Sequence, residues 1–110
     1  MNLKIIPTPE FKKQVKKLSR QYKNIADDLK QLQDLLIDDP ETGTSLGNRC
    51  YKIRVANSSI PTGKSGGFRV ITYYVDENNT IWLLLIYSKK EKETVTDKEI
   101  QMVIDANELA

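Results

Sequence analysis

Three cations pose the question of what this chain could do to an anion. Lys52 and Arg54 stand two apart in "CYKIRVA", and Arg69 stands in "FRVITYYV". Residues two apart on an extended strand project from the same face, so Lys52 and Arg54 share one. A hairpin through the loop 57–67 would lay Arg69 across from them. Lys89, Lys90 and Lys92 leave the end of the following apolar stretch nearby. Like charges opposed on a sheet destabilise it, so the gathering makes sense where an anion normally sits. An RNA phosphodiester fits. In its cleavage the adjacent 2′-hydroxyl attacks phosphorus, and negative charge builds on oxygens that Arg and Lys can stabilise directly. A lysine among cations can serve as base near neutral pH, which makes Lys52, expected between Arg54 and Arg69, the candidate, and the step needs no metal. The plain alternative is a wet sheet face carrying ordinary solvated cations.

Between Arg54 and Arg69 runs "TGKSGG", which carries the Gly-Lys-Ser of a phosphate-binding P-loop. That motif needs a glycine where Ser58 stands and a helix after the serine; β-branched and aromatic residues follow instead, as in a strand. Gly63, Gly66 and Gly67 let the backbone approach a ligand closely, and Lys64 adds charge at the rim. The loop therefore reads as a phosphate-contacting hairpin loop, or as a plain solvated one. Tyr73, Tyr74 and Tyr87 could stack on bases or act as acids; Tyr87 stands beside the lysines. Glu41 and Asp76 bracket an acid-free segment holding Arg49, Lys52, Arg54, Lys64 and Arg69. A second basic run, Lys12 to Arg20, has five cations and no acid. This sorting favours a polyanionic partner more than the net charge of +2 does.

Composition removes other chemistries. The chain has no histidine and one cysteine, Cys50. It has no internal disulfide, no cysteine-based zinc site, and lacks the usual acid–base residue of neutral pH. Asp27, Asp28, Asp38 and Asp39 show no metal-site pattern and read as solvated. The run Ile81 to Ile86 is too short to span a bilayer, and "MNLKIIPTPEF" has no signal-peptide core. The expectation is a cytoplasmic protein without cofactor or membrane contact, a single domain over 110 residues.

The elements that must position these groups follow from period and punctuation. Leu3 to Ile6 is a short strand. Thr8, Pro9 and Glu10 open a helix with N-cap, first-turn proline and favourable acid. Its apolar side is Phe11, Val15 and Leu18; Lys12, Lys13, Lys16, Lys17 and Arg20 fall opposite. A second helix turns Ile25, Leu29, Leu32 and Leu36 to one side and ends before Pro40. Three strands follow, "CYKIRVA", "FRVITYYV" and "TIWLLLIYS", the last apolar on both faces and so the central, most buried one. Thr96 and Glu99 form a capping box for a last helix with Ile100, Val103 and Ile104 inward. The order is β-α-α-β-β-β-α. This is an α+β domain: an N-terminal helical hairpin and a C-terminal helix, packed on one face of an antiparallel-dominated sheet.

The element order, with "YKIRVA", "GKSGGFRVITYY" and "LLLIYSKKEK", resembles the RelE/ParE superfamily of toxins over nearly the whole chain, closest to its RelE-like or HigB-like branch. The resemblance implies the toxin of a type II toxin–antitoxin pair. RelE-like members cut mRNA on the ribosome by metal-independent 2′-hydroxyl attack. A cognate antitoxin neutralises them, and the complex binds operator DNA. By position, Lys52, Arg54 and Arg69 match the family's basic strand residues, and Lys90 matches an arginine after the third strand. These four are the expected catalytic set, with Arg49, Lys64, Tyr87, Lys89 and Lys92 as RNA contacts. Thr96 stands where some members carry a functional tyrosine. Two other readings stay open: ParE-like relatives block DNA gyrase by binding, and a degenerate toxin would be an inactive binding module. The basic helix face (Lys12, Lys13, Lys16, Lys17, Arg20) would suit an antitoxin or ribosomal RNA.

Overall fold

A computed structural model describes residues 2–61 and 66–109. The elements are β1 (Lys4–Pro7), α1 (Pro9–Ser19), α2 (Ile25–Asp38), β2 (Thr44–Gly47), β3 (Cys50–Val55), β4 (Phe68–Val75), β5 (Thr80–Ser88) and α3 (Asp97–Ala106). They build one five-stranded sheet in the order β1-β5-β4-β3-β2. β2 to β5 pair antiparallel, and β1 lies parallel to β5. The expected order holds, with β2 added as a short, fully exposed edge strand. β5 is the most buried strand, as its two apolar faces require, but the middle place belongs to β4.

The helices do not share a face. Phe11, Leu18, Leu32 and Leu36 of α1 and α2 pack with Ile53, Val55, Phe68, Val70 and Ile86. Ile100, Val103 and Ile104 of α3 pack with Cys50, Ile71, Tyr73, Leu84 and Leu85. Neighbouring strand residues such as Val70 and Ile71 point to opposite faces, so α3 covers the other side. The expectation of helices on a single face is therefore corrected. Its cause is β5, whose two apolar faces each need cover.

A bulge in β5 makes both faces possible. Ile71 pairs with Leu85 but Thr72 with Leu83, leaving Leu84 as an extra residue. Leu84 and Leu85 can then both serve the α3 side, while Leu83 and Ile86 serve the other. Thr8 docks α1 on this spot. Its buried hydroxyl accepts from Phe11 N at 3.2 Å as N-cap and reaches the carbonyls of Leu83 and Leu84 at 3.0 and 3.2 Å.

Asp28 is buried, against the solvated reading of the sequence. Its carboxylate accepts from Ser58 N at 3.1 Å, while Asn24 N donates to Ser59 Oγ at 3.0 Å. α2 thereby anchors the start of the loop between β3 and β4. At the far end of that loop, a Cβ on Gly67 would stand 2.3 Å from Val55 O, so only glycine lets the strands close there.

Candidate phosphate site

The register of three strands sets Arg54, Arg69 and Tyr87 in one row. Arg54 lies opposite Arg69, and Arg69 lies opposite Tyr87. Ile53, Val55, Val70 and Ile86 face α1 and α2, so the row projects from the α3 side. The pairing brings the arginines close. Ile86 N donates to Gln14 Oε1 at 2.9 Å, so Ile86 turns its amide away from β4. Strand residues alternate in this respect, so Tyr87 exchanges backbone bonds with Arg69; in step with it, Lys89 N reaches Gly67 O at 3.0 Å. Arg69 thus turns its backbone to β5. Its pairing with Arg54 is of the non-hydrogen-bonded kind, with Cα atoms about 4.5 Å apart and side chains closer.

Arg69 is only 5 % exposed. Burial, and after it the charge of Arg54, pull its pKa below the usual guanidinium value. An arginine remains charged at neutral pH all the same. One of its nitrogens donates to Phe68 O at 3.3 Å. Tyr87 is 6 % exposed, and its buried hydroxyl has no hydrogen-bond partner among the described residues. α3 stops short of the row: its apolar contacts are Cys50, Ile71, Tyr73, Leu84 and Leu85. Two guanidinium groups side by side are an arrangement that suits an anion.

The other expected site residues divide. Lys52 shares the face of Arg54 but pairs with Ile71 and, on its other side, Thr44. The expectation that it lies between Arg54 and Arg69 is corrected by this register; it stands one pleat further along. Lys90 is exposed in the turn after β5, at the end of the sheet where the row lies. Lys89 Nζ donates to Glu93 O at 2.7 Å and pairs with its carboxylate at 3.1 Å. Lys92 is tied to Glu99 at 2.7 Å, in the first turn of α3. Arg49 sits at the opposite end of β3, in a two-pronged pair with Glu77 at 2.7 and 2.9 Å. Lys64 lies outside the described residues.

Thr96 is the N-cap of α3, with both bonds of a capping box to Glu99. Tyr73 donates to Leu109 O at 3.1 Å, fastening the end of the chain rather than facing solvent. Arg54 also borders an open cleft with Gln31, Asp34, Leu35 and Asp38 of α2. Lys12, Lys13, Lys16, Lys17 and Arg20 are all exposed. Among the described residues no cluster of His, Cys, Asp or Glu could hold a metal ion, and no helix is long and apolar enough to cross a membrane.

Residues 3–109 match the family described as the RelE toxin of the RelE/RelB toxin–antitoxin system. The chain belongs to the RelE toxin family. Solved structures of E. coli RelE share its fold. A free-state variant with two arginines changed to alanine superposes with a TM-score of 0.62 at 16% identity, covering 99% of this chain and 100% of that one. The isolated E. coli RelE toxin gives 0.59 at 17% identity, covering 96% and 99%. The intact E. coli RelBE toxin–antitoxin complex gives 0.58 at 19% identity, covering 79% and 96%. The chain is thus a RelE-family toxin by sequence and has the RelE fold.

Proposed function

We propose that this RelE-family toxin is a ribosome-dependent endoribonuclease that cuts mRNA by attack of a 2′-hydroxyl on the adjacent phosphodiester. The observation that supports this reading is the pairing of Arg54 with buried Arg69, beside Tyr87, on the sheet beyond the apolar contacts of α3. Two guanidinium groups forced together on a partly desolvated face repel each other. A phosphate between them reverses that cost. Negative charge grows on its oxygens during attack, and the arginines then bind it more strongly than they bind the ground state. They also present donors in a planar fork that suits phosphate. Lys52 and Lys90 lie on either side of the row and add positive charge, with Lys52 the candidate base.

The chain supplies charge, and the ribosome supplies alignment. Orienting nucleophile and phosphorus can lower a barrier by about 7–11 kcal/mol, so free RNA would be a poor substrate. Cutting mRNA would stop translation in the cytoplasm. A cognate antitoxin would silence the toxin, with operator DNA contacted through that complex. The exposed basic face of α1 suits ribosomal RNA or antitoxin, and contact with phosphate there would weaken steeply with salt.

The test is primer extension on a reporter mRNA in a purified translation system, with the wild type and Arg69→Ala compared. Wild-type protein is expected to cut only with ribosomes present. Arg69→Ala should lose at least about 10²-fold in rate with an unchanged circular dichroism spectrum. Intact mRNA with folded wild-type protein would overturn the reading, and gyrase-dependent DNA breaks in the same cells would replace it with gyrase inhibition.

A further inference from the structure

Of the three lysines that follow β5, Lys90 alone has no acid partner among the described residues. Glu93 takes Lys89 and Glu99 takes Lys92. Glu91 is next to Lys90 in the chain, but its carboxylate accepts from the Tyr22 hydroxyl, at a long 3.5 Å. Tyr22 lies in the connection between α1 and α2 and is buried in the core those helices share. Its ring meets Phe68, the neighbour of Arg69, in a T-shaped contact with centroids 5.5 Å apart. A phenylalanine would supply the same ring. The hydroxyl meets that of Ser88, the buried last residue of β5, at 3.3 Å. Ser88 is where the turn that carries Lys90 is made. Its carbonyl accepts from Glu91 N and Lys92 N, both at 3.0 Å, and Lys89 N bonds to Gly67 O at 3.0 Å. The turn is thus held from two sides: Glu99 of α3 grips Lys92, and Tyr22 grips Ser88 from the side of α1 and α2.

We propose that Tyr22 is a positioning residue of the ribonuclease site: its hydroxyl, through Ser88, fixes the turn after β5 and with it the place of Lys90 relative to the arginine row. A lysine is a point charge on a flexible stem, so the backbone that carries it decides where its charge can act. A misplacement of 1 Å can cost a reaction about 10²-fold. Hydrogen bonds are directional. Two buried hydroxyls meet in one relative placement, whereas two apolar side chains would pack almost as well with the strand end shifted. Tyr22 also holds the carboxylate of Glu91, the acid that could otherwise neutralise Lys90.

The test compares wild type with Tyr22→Phe, Ser88→Ala, Lys90→Ala and the double variant Tyr22→Phe/Lys90→Ala in the purified translation system, and follows hydrogen exchange at the amides of Glu91 and Lys92. Tyr22→Phe and Ser88→Ala should each cut about tenfold more slowly, in kcat rather than KM. The two amides should exchange faster in both variants. In the Lys90→Ala background, Tyr22→Phe should change the rate by less than about twofold, because the group it positions is gone. Unchanged cleavage or unchanged exchange in Tyr22→Phe would overturn the assignment. So would an equal loss with and without Lys90, or a Lys90→Ala protein that cuts like the wild type. The assignment rests on the ribonuclease reading: a folded wild type that cuts nothing removes both, whereas a cutting wild type with no coupling between Tyr22 and Lys90 removes the role of Tyr22 alone.

Discussion

The two ends of the sheet each hold an arginine, and they treat it in opposite ways. At one end Arg49 meets Glu77 through two short bonds and has Asp76 within 3.7 Å. Glu77 raises its pKa, and the pair lies exposed at the mouth of the β4–β5 turn. At the other end Arg69 is buried opposite a second arginine, and its pKa is lowered. The first arrangement closes a turn and satisfies its own charge. The second accumulates positive charge beyond the apolar contacts of α3. One residue type thus closes an ion pair at one end and faces its own kind at the other. The difference comes from the residues opposite, not from the arginine.

Making the second end resemble the first gives the largest expected effect. Arg54→Glu would set a carboxylate opposite Arg69, turning a repulsive pair into an attractive one. The repulsion lost and the pair gained are together worth about 1 kcal/mol of stability at most, trimmed by Asp34 and Asp38 across the cleft. The same change would occupy the anion site from within. Ribosome-dependent cleavage should fall by about 10²–10³-fold. A variant that melts no lower than the wild type yet cuts nothing would separate the charge of the row from its contribution to folding. Retained cleavage would refute the assignment of Arg54 and Arg69 to the phosphate.

A smaller effect separates the row from the apolar half of the same face. Ile71 is fully buried, pairs with Lys52 and Leu85, and belongs to the core under α3. It stands two residues from Arg69 on β4, so it marks where the core under α3 meets the charged row. Ile71→Val removes one methylene and should cost about 0.5–1.5 kcal/mol by denaturant unfolding. Below the unfolding temperature its cleavage rate should match the wild type. A large loss of cleavage with little loss of stability would mean that the phosphate site extends under α3.

Much of this was legible in the sequence, and the failures have physical causes. Thr8, Pro9, Thr96 and Glu99 marked helix starts because capping is local, and the structure keeps both caps. The strands of "KIRVA" and "FRVITYYV" were legible from alternation and β-branching. The face that α3 takes was misread, although β5 advertised it: a strand apolar on both sides needs two covers. The bulge at Leu84 could not be read, because it depends on two strands together. The same holds for the site. Lys52, Arg54 and Arg69 could be named, but which of them are neighbours is a matter of register. Register put Arg54, not Lys52, opposite Arg69, and brought Tyr87 into the row. Asp28 looked solvated because nothing in its helix predicts that Ser58, thirty residues away, will donate to it.

The smallest effect tests the clamp itself. Arg49 holds the Glu77 carboxyl at a pKa of about 2, against an ordinary value of 4.5. The hydrogen bond to the guanidinium is the main cause, and the turn adds to it. A carboxyl whose pKa is lower folded than unfolded binds fewer protons in the native state. Its contribution is therefore complete above the unfolded pKa and fades as pH falls through the folded one. Wild type should melt above Glu77→Gln at pH 6, and the gap should close between about pH 4.5 and pH 2. The pair is exposed, so the gap should be small and should shrink further in 1 M salt, where the Debye length is about 3 Å. Cleavage by Glu77→Gln should equal that of the wild type at every salt concentration. If it does not, the two ends of the sheet communicate, and the arginine clamp at the turn would have to be counted among the elements that position the phosphate row.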